Sequence, residues 1–305
     1  TKPDGSVTTT VNNPDGSTTT TTKGSDGAVF VTTEKDGKVK IQVTLPANVI
    51  STDSTVVPLQ ISNVDAKKDF DSAAEITFIL PDGMSAVVEI PVQNPSAGVV
   101  AMRVTASGAR EIIKTTALTP NGIEVKISKD DVVKIVDNRK VFDDVPSTYW
   151  SSEAVMFVTS RELFLGTDEN TFSPDATMTR AMIMTVLARL DGVDTSVGEY
   201  WFDAGRTWAM SHGITDGSNP QAPITRQQLA AMLYRYAGQP DMSGSLDAFD
   251  DADRVSDWAK NPMTWAIQNK ILFGMSDGTL NPQGLATRAQ VATILMRFCQ
   301  LQYGT

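Results

Sequence analysis

Three positions in the second half of the chain carry the same residue pair in the same setting: Thr179-Arg180 in MTRAMIMTVLARL, Thr225-Arg226 in ITRQQLAAMLYRY and Thr287-Arg288 in ATRAQVATILMRF. Apolar residues follow each arginine at offsets of 3, 6, 7 and 10, as with Ile183, Val186, Leu187 and Leu190, which is the spacing of one helical face. The threonine therefore stands where an N-cap belongs, and the arginine takes the first helical position. A cation there is opposed by the positive end of the helix dipole. Two uses would account for it. Free first-turn amides and the guanidinium can converge on one anion, a carboxylate above all. Alternatively, each arginine pairs with an aspartate of a neighbouring unit and ties units together.

Other chemistry is narrowly bounded. A single cysteine, Cys299, allows no intramolecular disulfide, and a single histidine, His212, allows no zinc site of the Cys/His type. The same counts remove nucleophile systems built on histidine, short of a triad through His212 itself. Catalysis is left to carboxylates. Glu75, Asp82, Glu89 and Glu111 could be drawn as a glycosidase pair, but isolated carboxylates on strand-like segments read as a solvated face. No cofactor is implied. A formal charge of -10 argues against nucleic acid or an anionic membrane as partner. No run of eighteen apolar residues exists to span a bilayer. The acidity is concentrated: residues 1–140 carry 15 Lys+Arg against 17 Asp+Glu, and residues 141–305 carry 11 against 19. Nine of those 11 cations are arginine, the cation suited to bidentate recognition of an anion.

The elements that position the arginines repeat. Trp150, Trp201 and Trp258 each precede a glycine (Gly166, Gly217, Gly274) by 16 residues, and a second aromatic (Phe157, Trp208, Trp265) follows each tryptophan by seven. Gly166 and Gly274 lead to their arginines in 14 residues and Gly217 in 9, so the middle copy has a trimmed loop. The glycines fit a left-handed turn at a helix end. The leading tryptophans either stack on a sugar face or anchor the packing. Arg189, Arg235 and Arg297 lie nine residues beyond the first arginines, facing the opposite way, and read as helix-end partners and surface charge. At the third helical position Gln228 and Gln290 can close a neutral capping box, while Met182 has lost it. Met178, Met182, Met184 and Cys299 read as core filler.

Taken together, "VFDDVPSTYWSSEAVMFVTSRELFLGTDENTFSPDATMTRAM", "YWFDAGRTWAMSHGITDGSNPQAPITRQQL" and "AFDDADRVSDWAKNPMTWAIQNKILFGMSDGTLNPQGLATRAQ" resemble three tandem S-layer homology repeats. The shared pattern is a Phe-x-Asp opening, a Trp-led helix, a Gly turn and a Thr-Arg helix start. Asp144 and Asp251 fit the opening; the middle copy has Asp194 near the right distance but no Phe before it. The family's Glu at the third helical position is absent. The resemblance implies a pseudo-threefold helical domain whose central bundle takes one helix per repeat. Grooves between repeats would hold the pyruvate-ketal sugar of a secondary polysaccharide attached to peptidoglycan, anchoring a secreted protein non-covalently to the bacterial cell wall or S-layer. It also implies ligand-binding roles for Asp144, Trp150, Gly166, Arg180, Trp201, Gly217, Arg226, Asp251, Trp258, Gly274 and Arg288, with Arg226 in the weakest copy. Self-association in a surface layer is a further partner reading.

Upstream, Asp-Gly pairs begin at Asp4, Asp15, Asp26 and Asp36, separated by Thr/Val runs. Such pairs supply hairpin turns and the runs suit strands, giving a thin β-ribbon or, with so little to bury, an unfolded linker. From residue 46 to 140, short apolar runs alternate with PDG, NPSAG, ASG and PNG turns, as in an all-β sandwich. The expected fold is multidomain: a Thr-rich β-repeat spacer (1–45) and an all-β domain (46–140), then an all-α pseudo-threefold domain of three repeats (141–192, 193–240, 241–305) around a central three-helix bundle. The opening TKPDG, without Met or leader, reads as a piece of a longer protein. Beside the wall anchor stand two alternatives: the anchoring end of a surface glycoside hydrolase with its catalytic domain upstream, and a structural S-layer or adhesin subunit.

Overall fold

The computed structural model describes residues 2–50 and 56–304, so residues 51–55 of the expected 46–140 domain lie outside the described residues. The chain divides into two compact units between Arg139 and Lys140.

In the first unit, β1 (Val7–Asn12), β2 (Thr18–Lys23), β3 (Val29–Lys35) and β4 (Lys38–Thr44) form an antiparallel meander turned by the Asp-Gly pairs. Threonine hydroxyls bond across it, as between Thr8 and Thr22 at 3.1 Å. Burial grows along the meander: β1 is exposed throughout, whereas Phe30, Ile41 and Val43 are buried. The remaining strands are β5 (Val56–Pro58), β6 (Glu75–Ile79), β7 (Ser85–Pro91), β8 (Val99–Val104), β9 (Arg110–Ile112), β10 (Ala117–Leu118), β11 (Gly122–Ser128) and β12 (Val132–Asp137). One sheet runs β1-β2-β3-β4-β6-β12-β8-β9 and the other β10-β11-β7-β5. Alternating residues of both enclose one core around Ile76, Phe78, Val88, Ile90, Ile123 and Ile135. Because β4 pairs in parallel with β6, the ribbon is continuous with the larger sheet and the sheet does not break at residue 45. The four carboxylates form no pair for catalysis: Glu75 faces Lys40, Asp82 in the β6–β7 turn faces Lys129, Glu89 accepts from Thr119, and Glu111 is exposed on β9.

The second unit holds α1 (Ser152–Ser160), α2 (Arg180–Leu190), α3 (Asp203–Ser211), α4 (Arg226–Tyr236), α5 (Lys260–Gln268) and α6 (Arg288–Tyr303). Phe157, Trp208 and Trp265 are its buried aromatic anchors. The expected fold class does not hold: the chain is mixed, 25% helical and 26% strand in two sheets, and an all-α domain following an all-β part is not shown. Isolated β-bridges join Thr177 to Thr287, Thr179 to Pro223 and Thr225 to Leu285, and 3-10 turns occupy Ala252–Arg254 and Asp257–Ala259. The helix backbones that come closest are α2 with α3 and α4 with α5, while α6 meets α4 and α5 through side chains, with the Phe298 ring 5.7 Å from that of Tyr236 and 6.2 Å from that of Trp265. Backbone bonds also join the copies. The Met178 amide donates to Ala286 O (3.0 Å), the Ala286 amide to Ile224 O (3.1 Å) and the Ile224 amide to Met178 O (2.8 Å), closing a ring of three hydrogen bonds around buried side chains. Buried amides and carbonyls need partners, and residues just before a helix have none within it, so the three approaches to the Thr-Arg helices satisfy one another.

Candidate functional site

Each Thr-Arg start is capped as the sequence implies. Thr179, Thr225 and Thr287 accept from the amides of Met182, Gln228 and Gln290 at 3.3, 3.4 and 3.3 Å. Gln228 and Gln290 reach back to their cap amides, and in the first copy the Met182 sulfur takes that place at 3.5 Å, so the box is weakened there rather than lost.

The arginines do not present free amides to an anion. The first two helical amides are already taken by the loop of another copy: Arg180 and Ala181 donate to Ala222 O and Pro220 O, Arg226 and Gln227 to Gly284 O and Pro282 O, Arg288 and Ala289 to Ala176 O and Pro174 O. The guanidinium groups follow the same loops. Arg288 donates from Nε to Phe172 O and from Nη2 to Leu165 O, both at 2.7 Å. Arg226 donates to Leu280 O (2.8 Å) and Phe273 O (2.7 Å). Arg180 donates to Ser218 O (2.9 Å) and forms an ion pair with Asp216 at 2.9 Å. Each arginine thus clamps the glycine loop of the next copy, and the last clamps the first. Burial lowers the pKa of Arg226 and Arg288, opposed by Asp251 and Asp144 respectively.

Asp144 and Asp251 brace these loops: Asp144 accepts from the Phe172 and Ser173 amides, Asp251 from the Leu280 and Asn281 amides. Asp194 does not replace them in the middle copy: among the described residues its bonds are to Ser196, outside the loop that Arg180 clamps. Asp216 does so from within the trimmed loop, accepting from the Ser218 amide at 3.0 Å. Nor do all the glycines take the left-handed turn. That conformation falls on Glu162, Gly213 and Lys270, just past the helix ends, and of the three glycines only Gly217 has a positive φ (70°). Gly166 and Gly274 are needed for space: a Cβ would lie 2.9 Å from the Phe142 ring and 2.5 Å from the Phe249 ring, the phenylalanines of the Phe-x-Asp openings.

Two grooves result. The first, of about 250 Å³, gathers Gly166 from the first copy, Trp201 from the second and Arg288 from the third. The second, of about 670 Å³, gathers the 213–219 loop from the second copy, Arg180 from the first and Trp258 from the third. The leading tryptophans are not packing anchors: Trp150, Trp201 and Trp258 are 62%, 52% and 50% exposed. Trp150 stands beside Tyr149 and lines neither groove. Arg189 and Arg235 line the first and second grooves, and they donate to Leu163 O (3.2 Å) and Ile214 O (3.1 Å). Arg297 stacks on Phe273, where Arg226 also binds. Reading Arg189 and Arg235 as surface charge fails because facing is judged within one helix, whereas each groove is walled by two. Their recurrence at a constant offset was the signal. An exposed indole beside two guanidinium groups can stack on a sugar and hold an acidic substituent.

Residues 141–181 and 248–292 match the S-layer homology domain. The chain is 29% identical over 170 residues to an endoglucanase of Bacillus sp. (strain KSM-635), covering 50% of this chain and 18% of the relative. It is 29% identical over 136 residues to a cellulosome-anchoring protein of Acetivibrio thermocellus (39% and 30%), and 22% identical over 181 residues to an S-layer protein of Bacillus thuringiensis subsp. finitimus (54% and 22%). The chain thus spans less than a third of the length of these relatives. Similarity to the enzymes is confined to the S-layer homology part. The S-layer homology segments make this a cell-surface, cell-wall-associated protein with an anchoring region.

Proposed function

We propose that residues 141–192, 193–240 and 241–305 act as three repeats that hold the protein to the bacterial wall by binding a pyruvylated secondary cell-wall polysaccharide in the grooves between them. The observation that carries this reading is the convergence, twice, of an exposed tryptophan and two arginines drawn from different copies. The indole offers an apolar plate to the faces of sugar rings, and guanidinium groups not already paired with a carboxylate offer charge to a ketal carboxylate. Anchoring relatives and the overall acidity, which disfavours a polyanionic nucleic acid, support the same reading.

The test is co-sedimentation of the full chain with purified walls. Binding is expected to be lost when the secondary polymer is stripped or its pyruvate removed, and retention on bare peptidoglycan overturns the reading. Trp201→Ala and Trp258→Ala are the informative variants, because the exposed rings can be removed without touching the arginine clamps.

A further inference from the structure

We propose that the two grooves are not equivalent, and that Asp216 sets what each one takes. The groove of Arg288 and Arg189 accepts the acidic sugar unit, while the groove of Arg180 and Arg235 turns that unit away and takes a neutral, hydroxyl- and amide-bearing one. The inference rests on the glycan-binding reading above.

The residue before the glycine decides the charge. It is Leu165 in the first copy and Asp216 in the second. At Leu165 the clamping arginine meets a backbone carbonyl, which carries no net charge. At Asp216 it meets a carboxylate, 2.9 Å away, whose side chain is 70% exposed on the wall of the groove. Bonds from the Ser218 amide and hydroxyl, with Arg180 beside it, hold Asp216 ionised below the ordinary aspartate range. The first groove is lined by two guanidinium groups and no carboxylate; Asp144 and Glu162 act on Arg288 and Arg189 from outside that lining, and both Asp144 oxygens are held by loop amides. A second carboxylate arriving in the Asp216 groove finds Arg180 already paired and an exposed carboxylate beside it, and rejection of this kind is as effective a selector as attraction.

The remaining walls agree. Met182 and Val186 make the first groove narrow and apolar, and a ketal brings a methyl group on the carbon that bears its carboxylate. Gln228, Ser218 and Asn219 make the second wide and polar, a lining that can bond hydroxyls and an acetamido group.

The experiment follows the indole N–H signals of Trp201 and Trp258 by NMR in the full chain, titrated with a methyl hexoside carrying a 4,6-linked pyruvate ketal and, separately, with an N-acetylhexosamine methyl glycoside. The ketal glycoside is expected to shift Trp201 and leave Trp258 unmoved, and the neutral glycoside to shift Trp258. Asp216→Asn should make Trp258 respond to the ketal glycoside, with binding at least about threefold tighter than in the wild type, a modest factor because the carboxylate is solvated. Leu165→Asp should abolish the Trp201 response. If Trp201 responds and Trp258 responds equally in the wild type, or if neither substitution changes the pattern, the selection by Asp216 is wrong while glycan binding stands. If neither indole responds to either sugar, both fall.

Discussion

Arg288 donates through Nε to the carbonyl oxygen of Phe172 at 2.7 Å across 116 residues of chain. That contact closes the ring of copies, since Arg288 belongs to the last helix and Phe172 to the first glycine loop. It also changes what the arginine can be used to test. Charge reversal of the three Thr-Arg arginines would bury carboxylates against carbonyls and disrupt the unit before binding could be read.

Arg288→Ala and Arg226→Ala should each destabilise the protein by about 2–4 kcal/mol, because each removes a buried guanidinium and leaves two carbonyl oxygens without its donors. Arg180→Ala should cost roughly 1 kcal/mol, its side chain being nearer to solvent and its partner Asp216 hydrated. Urea denaturation of the full chain checks the order.

Gly166→Ala should cost about 2–3 kcal/mol although its backbone is not left-handed, since the new methyl would meet Asp168 O at 2.4 Å and the Phe142 ring at 2.9 Å. Gly16→Ala, in an Asp-Gly turn with open space but a φ of 82°, should be the milder change. Thermal unfolding of the two variants compares crowding with backbone strain.

Stability should decline as pH falls below about 4 in part through Asp216. Its pKa is depressed in the fold, so its stabilisation is present above the unfolded value and is lost as pH drops through the folded one. Asp216→Asn should flatten that part of the acid profile, measured by denaturation midpoints between pH 3 and 6.

Burial pushes the Cys299 thiol up to about 12, against the lowering effect of Arg161. The folded protein therefore keeps it protonated, and this stabilisation fades as pH rises from about 9 toward 12. Alkylation by iodoacetamide at pH 8 should be negligible in the native protein and appear only with unfolding.

Deleting residues 1–23 should leave the melting of the first unit nearly unchanged, because β1 is exposed and β2 contributes little to the core. Deletion through residue 44 should unfold it, since Ile41 and Val43 are core residues and β4 pairs with β6. Circular dichroism on the two truncations distinguishes these outcomes.

The amino-acid sequence by itself determined every element that is fixed within a few residues of its own position. The Thr caps, the helices beginning at Arg180, Arg226 and Arg288, and the strands flanked by Asp-Gly turns follow from local hydrogen bonding and periodicity, which are written at short range. So did the repetition itself, because it is a property of spacing. Tertiary structure alone decided where those residues act. The clamps of Arg180, Arg226 and Arg288 span different copies, and no helical wheel shows that Arg189 shares a groove with Arg288 or Arg235 with Arg180. The Asp216–Ser218 bond is itself local, but the approach of Arg180 to both residues from another copy was decided by folding. The common physical reason is range: a cap or turn is satisfied within its own segment, whereas a buried guanidinium or an orphan amide takes whatever acceptor folding delivers from a distant one.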